Sequence, residues 1–404
     1  MRTLLTLVRD NRNFRLLWFG QIVSQLGDWF NVVALYALLF ELTGSATAVA
    51  GMMVMQLLPV AIVGPISGVI VDRFDRRRIM IAADLVRGAA VLGLILVRSS
   101  DTVWLAYVVT GVMVACSGFF EPARSATVPS IVPREQLVAA NAISTGTWSA
   151  MLAIGASLGG GVTVLLGRDA AFVINALSFF TSAVFLWRMR VPAREASERA
   201  TLGLQGVMDG LSYMRRHGDV ARIALIKGGW AIVGGALLLL TVFGDRIFRI
   251  GDSSDAGIGI LFAARGIGAF AGSLIISLIA ARQGNLIRLI APAYFVAGAC
   301  YAALAIVPTI WFAAAIVIAA HVFGSMLWVA SNVLLQMRVP DAFRGRVFSA
   351  ELIVMALVQS AVAYSTAVAL DLWHVDPRLL AAIVGLGLWV PALIWALAPR
   401  PSHR

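Results

Sequence analysis

The chain has 404 residues, 60% of them hydrophobic and 13% charged, with a net charge of +11 and a mean hydropathy of +0.88. Soluble domains carry about twice that share of charge, so a water-soluble fold is excluded: it could not bury this much apolar surface. In a soluble protein the basic excess would suggest nucleic acid, but here the cations sit in short gaps between apolar runs, which is the pattern of a chain oriented in a membrane.

A bilayer core takes about 20 apolar residues per helix. Twelve runs qualify, at 14–40, 46–71, 79–98, 102–122, 137–166, 170–188, 220–244, 256–281, 286–307, 309–337, 346–370 and 379–398. The first is too long for a signal-peptide core and carries Gln21, Gln25 and Asp28, so the N-terminus is expected to stay on the protein. Gln21, Ser24, Gln25, Asp28 and Asn31 recur every three to four residues in this span. They therefore share a helix face that lipid cannot satisfy and that is expected to line a central cavity. Asp28 lies about 21 Å along the helix from Phe14, inside the membrane. It fits proton coupling or cation binding, or equally a structural carboxylate paired to a neighbouring cation or to backbone.

The second span ends in GPISG (64–68) and runs into GVIVDRFDRRR (68–78), where six of eleven residues are charged. Gly64 and Gly68, four apart, allow close approach of a neighbouring helix. In the third span Asp84 and Arg87, three apart, are expected to form a local ion pair. Glu121 and Glu351 near the ends of the fourth and eleventh spans read as gate or packing residues. Lys227 in the seventh span, Arg265 in the eighth and His321 in the tenth are intramembrane groups with cavity or helix-contact roles. Either cation is a possible partner for Asp28. Asn141, Asn175, Trp328, Asn332, Gln336 and Gln359 add modest polarity, and Trp148 and Trp230 add aromatic surface. Few charges beside much apolar lining suit an amphipathic organic ligand.

With the N-terminus inside, 24 of the 32 cations fall on the cytoplasmic side, five on the opposite side (Arg98, Arg168, Arg246, Arg249, Arg378) and three within helices (Arg87, Lys227, Arg265). This places both termini in the cytoplasm. The longest polar gap divides the chain into a six-helix half at 1–190, a cytoplasmic linker at 191–219 and a second six-helix half at 220–404. In the linker, Leu204, Val207, Met208, Leu211 and Met214 form an apolar stripe at helical spacing, as in a helix lying on a membrane surface. The halves echo each other: GPISG returns as GAFAG (268–272), and Pro133 as Pro340, each proline following the fourth span of its half. The fold class expected is all-α and integral to the membrane, with twelve transmembrane helices in two pseudo-symmetric halves.

GVIVDRFDRRR resembles the loop signature G-x-x-x-D-R-x-x-R-R of the major facilitator superfamily, matched by Gly68, Asp72, Arg73, Arg76 and Arg77. FFEPARSATVPSIVPREQLVAANAIS (119–144), RVPDAFRGRVFSA (338–350), SQLGDWF (24–30) and ELTGSATAVAG (41–51) are similar to its enterobactin-exporter and macrolide-efflux-type branch. The resemblance spans essentially the whole chain. It implies that Asp72 faces the N-terminus of the eleventh span near Arg344 and Arg346, where exposed N–H groups favour an anion. Arg73, Arg76 and Arg77 would pair with carboxylates or lipid phosphates, completing a cytoplasmic latch. Two positions depart from the pattern. Ile276 stands where the second half would repeat the aspartate, and GASLGG (155–160) has Ala156 in place of the proline found in drug antiporters of this superfamily.

The function expected is secondary transport by alternating access: a proton-coupled exporter of drugs, siderophores or similar amphipathic molecules, acting as a monomer in the inner membrane. The cavity residues are Gln25, Asp28, Asn31, Arg265, His321 and Asn332. Partners are the small-molecule substrate, protons and lipid, without nucleic acid, and no cofactor is required. The alternatives are a lysophospholipid flippase and a receptor or scaffold that keeps the fold without transport. GIGAFA (266–271) fits a dinucleotide fingerprint but lies in an apolar helix with no preceding strand. There is no Walker A, zinc-hydrolase or G-x-S-x-G sequence. Cys116 and Cys300, far apart inside apolar runs, and four histidines suggest neither a disulfide framework nor a metal cluster.

Overall fold

A computed structural model describes residues 7–56, 73–133, 136–191, 204–250, 255–281 and 286–397, with isolated positions between 57 and 72. The described residues are all-helical and contain no β-strand. Nine helices among them are long and apolar enough to cross a membrane. Two shorter apolar helices, Ala46–Met55 and Ile287–Ala303, fall within the second and ninth expected spans. Leu137–Leu166, 30 residues long, coincides with the fifth. Contacts divide the chain into two compact units, one of Met1–Gly44 with Val54–Gly203, the other of Ser45–Met53 with Leu204–Arg404.

The first unit contains α1 (Arg12–Thr43), α3 (Arg76–Val91), α4 (Val103–Ile131), α5 (Leu137–Leu166) and α6 (Arg168–Arg188). Helix α1 starts where Asn11 accepts a hydrogen bond from the Phe14 N–H at 2.9 Å. It stops at Gly44, whose φ of 61° suits a residue without a β-carbon. It packs chiefly on α6 and α5, while α3 packs on α4 and α6. Small residues set these approaches. A β-carbon on Gly27 would lie 2.3 Å from Ser178 Oγ of α6, and one on Gly159 of α5 would lie 2.9 Å from the Phe30 Cα. The GASLGG stretch of α5 thus serves close packing on α1. A buried cluster of Phe14, Leu17, Met80, Phe120, Val128 and Leu186 fills one end.

The second unit contains α2 (Ala46–Met55) through Met53, then α7 (Leu204–Arg216), α8 (Gly218–Trp230), α9 (Val233–Val242) and α10 (Asp255–Ala281). It continues with α11 (Ile287–Ala303), α12 (Ile310–Arg338), α13 (Asp341–Asp371), α14 (Pro377–Gly387) and α15 (Trp389–Leu397). The seventh expected span is interrupted: a turn at Ala231–Ile232 separates α8 from α9, and a π-turn at Phe243–Ile247 ends it. Gly268 and Gly272 of GAFAG press α10 onto α12, where β-carbons would meet the Ile318 and Val322 carbonyl oxygens at 2.3 and 2.1 Å. The linker stripe falls on a helix, α7, and this helix packs against the start of α13 through Asp209, Gly210 and Tyr213. Large apolar side chains cover the outer surfaces, among them Leu165, Trp104, Trp187 and Trp311, each more than half exposed. Such exposure suits lipid, with tryptophans near helix ends.

Candidate functional site

On α1 the polar face divides in two. Gln21, Ser24 and Asn31 are buried, with Gln21 Nε2 donating to the Ser144 carbonyl of α5 at 3.0 Å and Ser24 Oγ donating to the Gln21 carbonyl at 3.4 Å. Asp28 and Gln25 are half-buried. Two buried acceptors flank Asp28 along the helix without a hydrogen-bond partner, Gln25 Oε1 and Asn31 Oδ1.

Asp84 and Arg87 form the expected pair, and both are buried. Arg87 Nη1 also donates to Ser117 Oγ at 3.2 Å. Its guanidinium lies between the rings of Phe120 and Phe179, at 4.7 and 4.3 Å from their centroids, an arrangement that holds a weakly hydrated cation in an apolar layer. Glu121 faces outward and accepts from Arg124 at 2.8 Å.

In the signature loop, Asp75 opens α3 by accepting from the Arg78 N–H at 3.0 Å. Arg76 Nη1 donates to the Ala126 carbonyl near the end of α4 at 2.6 Å. Arg77 Nε donates to the Leu186 carbonyl at the end of α6 at 2.9 Å, and its Nη2 to that of Trp187. These two arginines thus satisfy carbonyls near helix ends, where cations are favoured. Arg73 is exposed. Gly64, Gly68, Asp72 and the side chain of Arg344 lie outside the described residues. Arg346 bonds Asp209 of α7 at 3.1 Å.

The second unit distributes its predicted residues over two places. His321 is buried, with Nε2 2.7 Å from the Tyr301 hydroxyl and its ring edge-on to Trp230, a well-packed helix contact. Arg265 is half-buried beside Phe262. Asn332 lies three turns along α12 from His321, about 16 Å away, in a different cluster. There Lys227 Nζ donates to Asn332 Oδ1 at 2.7 Å and to Glu351 Oε2 at 2.8 Å, while Ser331 donates to Glu351 Oε1 at 2.7 Å. Lys227 therefore has its carboxylate within its own unit. Sequence reasoning noted Lys227, Asn332 and Glu351 but not Ser331, and it missed their assembly, because the partners of Lys227 lie 105 and 124 positions away. It also missed Asp371, at the end of α13. Asp371 accepts from Ser45 Oγ at 2.7 Å and from the N–H groups of Ala46 and Thr47 at 3.1 and 2.6 Å, and so caps α2. The S-A-T opening after Gly44 carried the only local signal.

Residues 7–393 match the family of transmembrane secretion effectors, a major facilitator family. The chain belongs to that family. It is 28% identical to the MFS-type transporter YfiS of Bacillus subtilis over 58% of this chain and 64% of that protein. It is 30% identical to macrolide efflux protein A of Streptococcus pyogenes over 44% of this chain and 45% of that protein. It is 26% identical to the putative bacilysin exporter of Bacillus subtilis over 66% of each. The chain thus matches less than two thirds of the length of these relatives. A crystal structure of a POT family transporter in complex with 5-aminolevulinic acid superposes with a TM-score of 0.78 over 95% of each chain at 12% identity, a likeness of fold. The family and these relatives are transporters, not enzymes, and this chain is a member of that family with nine candidate membrane spans among its described residues.

Proposed function

We propose that this chain is a proton-coupled exporter of small amphipathic organic molecules. It works as a monomer in the inner membrane, by alternating access between six-span halves at 1–190 and 220–404, with both termini cytoplasmic. The observation that carries the reading is Asp28, a half-buried carboxylate within a span, flanked by the unpartnered acceptors Gln25 Oε1 and Asn31 Oδ1. A carboxylate among buried acceptors supports binding of a proton or cation, which would supply a donor or counter-charge beside those oxygens. Asp28 protonated from outside gains a donor; release of that proton to the cytoplasm lets substrate bind, and reprotonation from outside completes the cycle in exchange for substrate. The macrolide and bacilysin relatives support amphipathic organic cargo and outward transport.

The test uses inside-out vesicles energised by an inward-acid proton gradient, with uptake of fluorescent cationic and neutral dyes as the readout. Gradient-dependent uptake by the wild type that falls at least tenfold in Asp28→Asn is expected, the scale of removing an essential proton-transfer group. Equal uptake in both proteins would remove Asp28 from coupling. No uptake of any dye would sink drug export.

A further inference from the structure

Lys227 and Glu351 come from different helices, α8 and α13, and their side chains are 3% and 0% exposed. They form the centre of a closed chain: Asn332 accepts from Lys227, Lys227 donates to Glu351, and Glu351 accepts from Ser331. The ends of this chain are neighbours on α12. The rings of Trp328 and Phe348 cover the ammonium at 4.8 and 5.4 Å, and Trp328 is 37% exposed. An aromatic layer, partly exposed at Trp328, therefore covers the ammonium that pairs with the buried carboxylate. Ionisable groups within a span are costly unless they serve a function, and a buried pair adds little stability over apolar residues of the same size.

We propose that Glu351 is a second proton-binding site, with Lys227 as the partner that its protonation releases. The inference rests on the reading of the chain as a proton-driven transporter. The carboxylate takes one proton from hydronium and leaves water. Lys227 keeps its own proton and loses its counter-anion. A buried ammonium without an anion is strongly unfavourable, so the protonated site favours a packing in which Trp328 swings aside and Lys227 reaches water. Deprotonation restores the pair and the packing seen here.

Among the described residues, the other charged groups on the helices packed against α8 and α13 are engaged elsewhere or exposed. Asp209 of α7 bonds Arg346, Asp219 of α8 bonds Arg338 of α12, and Arg222 of α8 lies over the Trp395 ring at 4.3 Å. Arg215 and Arg216 of α7 are exposed, and α9 carries no charged residue.

The test is a fluorine NMR titration of the full chain in lipid nanodiscs, labelled with 5-fluorotryptophan, with Trp328→Phe identifying the resonance. From mildly acidic to mildly alkaline pH, the Trp328 signal of the wild type should follow a single-proton sigmoid, and that sigmoid should vanish in Glu351→Gln. A wild-type signal that does not move, or the same sigmoid in Glu351→Gln, overturns the proposal. Should Glu351→Gln fail to fold, the double variant Lys227→Met, Glu351→Leu removes both charges together. A flat titration there supports the proposal and a persisting sigmoid overturns it. The readout needs no transported substrate. A wild type that carries no dye defeats the exporter reading, while the titration still decides Glu351.

Discussion

Gly27 and Lys227 show how single side chains constrain this structure in opposite ways. Gly27 must be small. A β-carbon there would meet Ser178 Oγ at 2.3 Å and Asn175 Oδ1 at 2.6 Å, so Gly27→Val should force α1 from α6 and destabilise the first unit by about 1–3 kcal/mol. A lowered thermal midpoint with Gly146→Val as control, where nothing lies within 4 Å, would check this, and equal midpoints would contradict it. Lys227 must be charged to balance the buried carboxylate of Glu351. Lys227→Met alone leaves a buried carboxylate unpaired, at about 3–5 kcal/mol. The double replacement Lys227→Met, Glu351→Leu should recover most of that loss in a denaturation series. A double variant as unstable as the single one would mean that the pair is not the source of the cost. The i, i+3 pair of Asp84 and Arg87 was readable along the chain because helix geometry alone brings such neighbours together. The pair of Lys227 and Glu351 was not, since only tertiary packing joins α8 to α13.

Among the elements, α7 shows what an amphipathic stripe conveys and what it omits. The apolar spacing of Leu204 to Met214 announces a helix, and the helix is present. Its docking depends on other residues. Asp209 bonds Arg346, Tyr213 stacks on Phe343 with centroids 4.7 Å apart, and Gly210 sits against the Arg346 carbonyl oxygen, 2.2 Å from where a β-carbon would be. Met208 and Leu211 of the stripe are exposed, which suits contact with a bilayer surface. Gly210→Leu should therefore detach α7 without melting the spans. Limited trypsin digestion would show faster cleavage after Arg215 and Arg216 with helical content unchanged, and an unchanged cleavage rate would count against this docking. The interruption of the seventh span at Ala231–Ile232 had a visible signal in Gly228, Gly229, Gly234 and Gly235. Hydropathy averages over such a run and returns one continuous helix, so the break was missed.

For the molecule as a whole, composition and the spacing of apolar runs were enough to call an all-helical membrane protein, because lipid leaves few ways to satisfy a backbone; transport came from the resemblance of its motifs to a family. The polar face of α1 was legible for the same reason. Its division into buried Gln21, Ser24 and Asn31 and half-buried Gln25 and Asp28 was not, because that depends on where α5 and α6 pack. The proposed latch belongs to this scale, since it concerns which side of the membrane the protein opens to. Asp72→Asn should shift the population toward the inward-open state and slow gradient-driven dye uptake. Cysteine probes placed on the cytoplasmic side, in a background lacking Cys116 and Cys300, would become more reactive. Unchanged reactivity would leave the signature loop as an orientation signal only.

The Asp371 cap has a consequence for how the chain is made. Ser45 and Asp371 are 326 positions apart, and a ribosome adds about 5–20 residues per second. The start of α2 therefore leaves the ribosome roughly 15–65 s before the carboxylate that caps it. During that interval its first N–H groups must find other partners at the membrane interface. Release of a nascent chain truncated before residue 371 should leave the α2 entry more exposed to amide hydrogen exchange than in the finished protein. The cap of α2 is completed only after 326 further residues have been made.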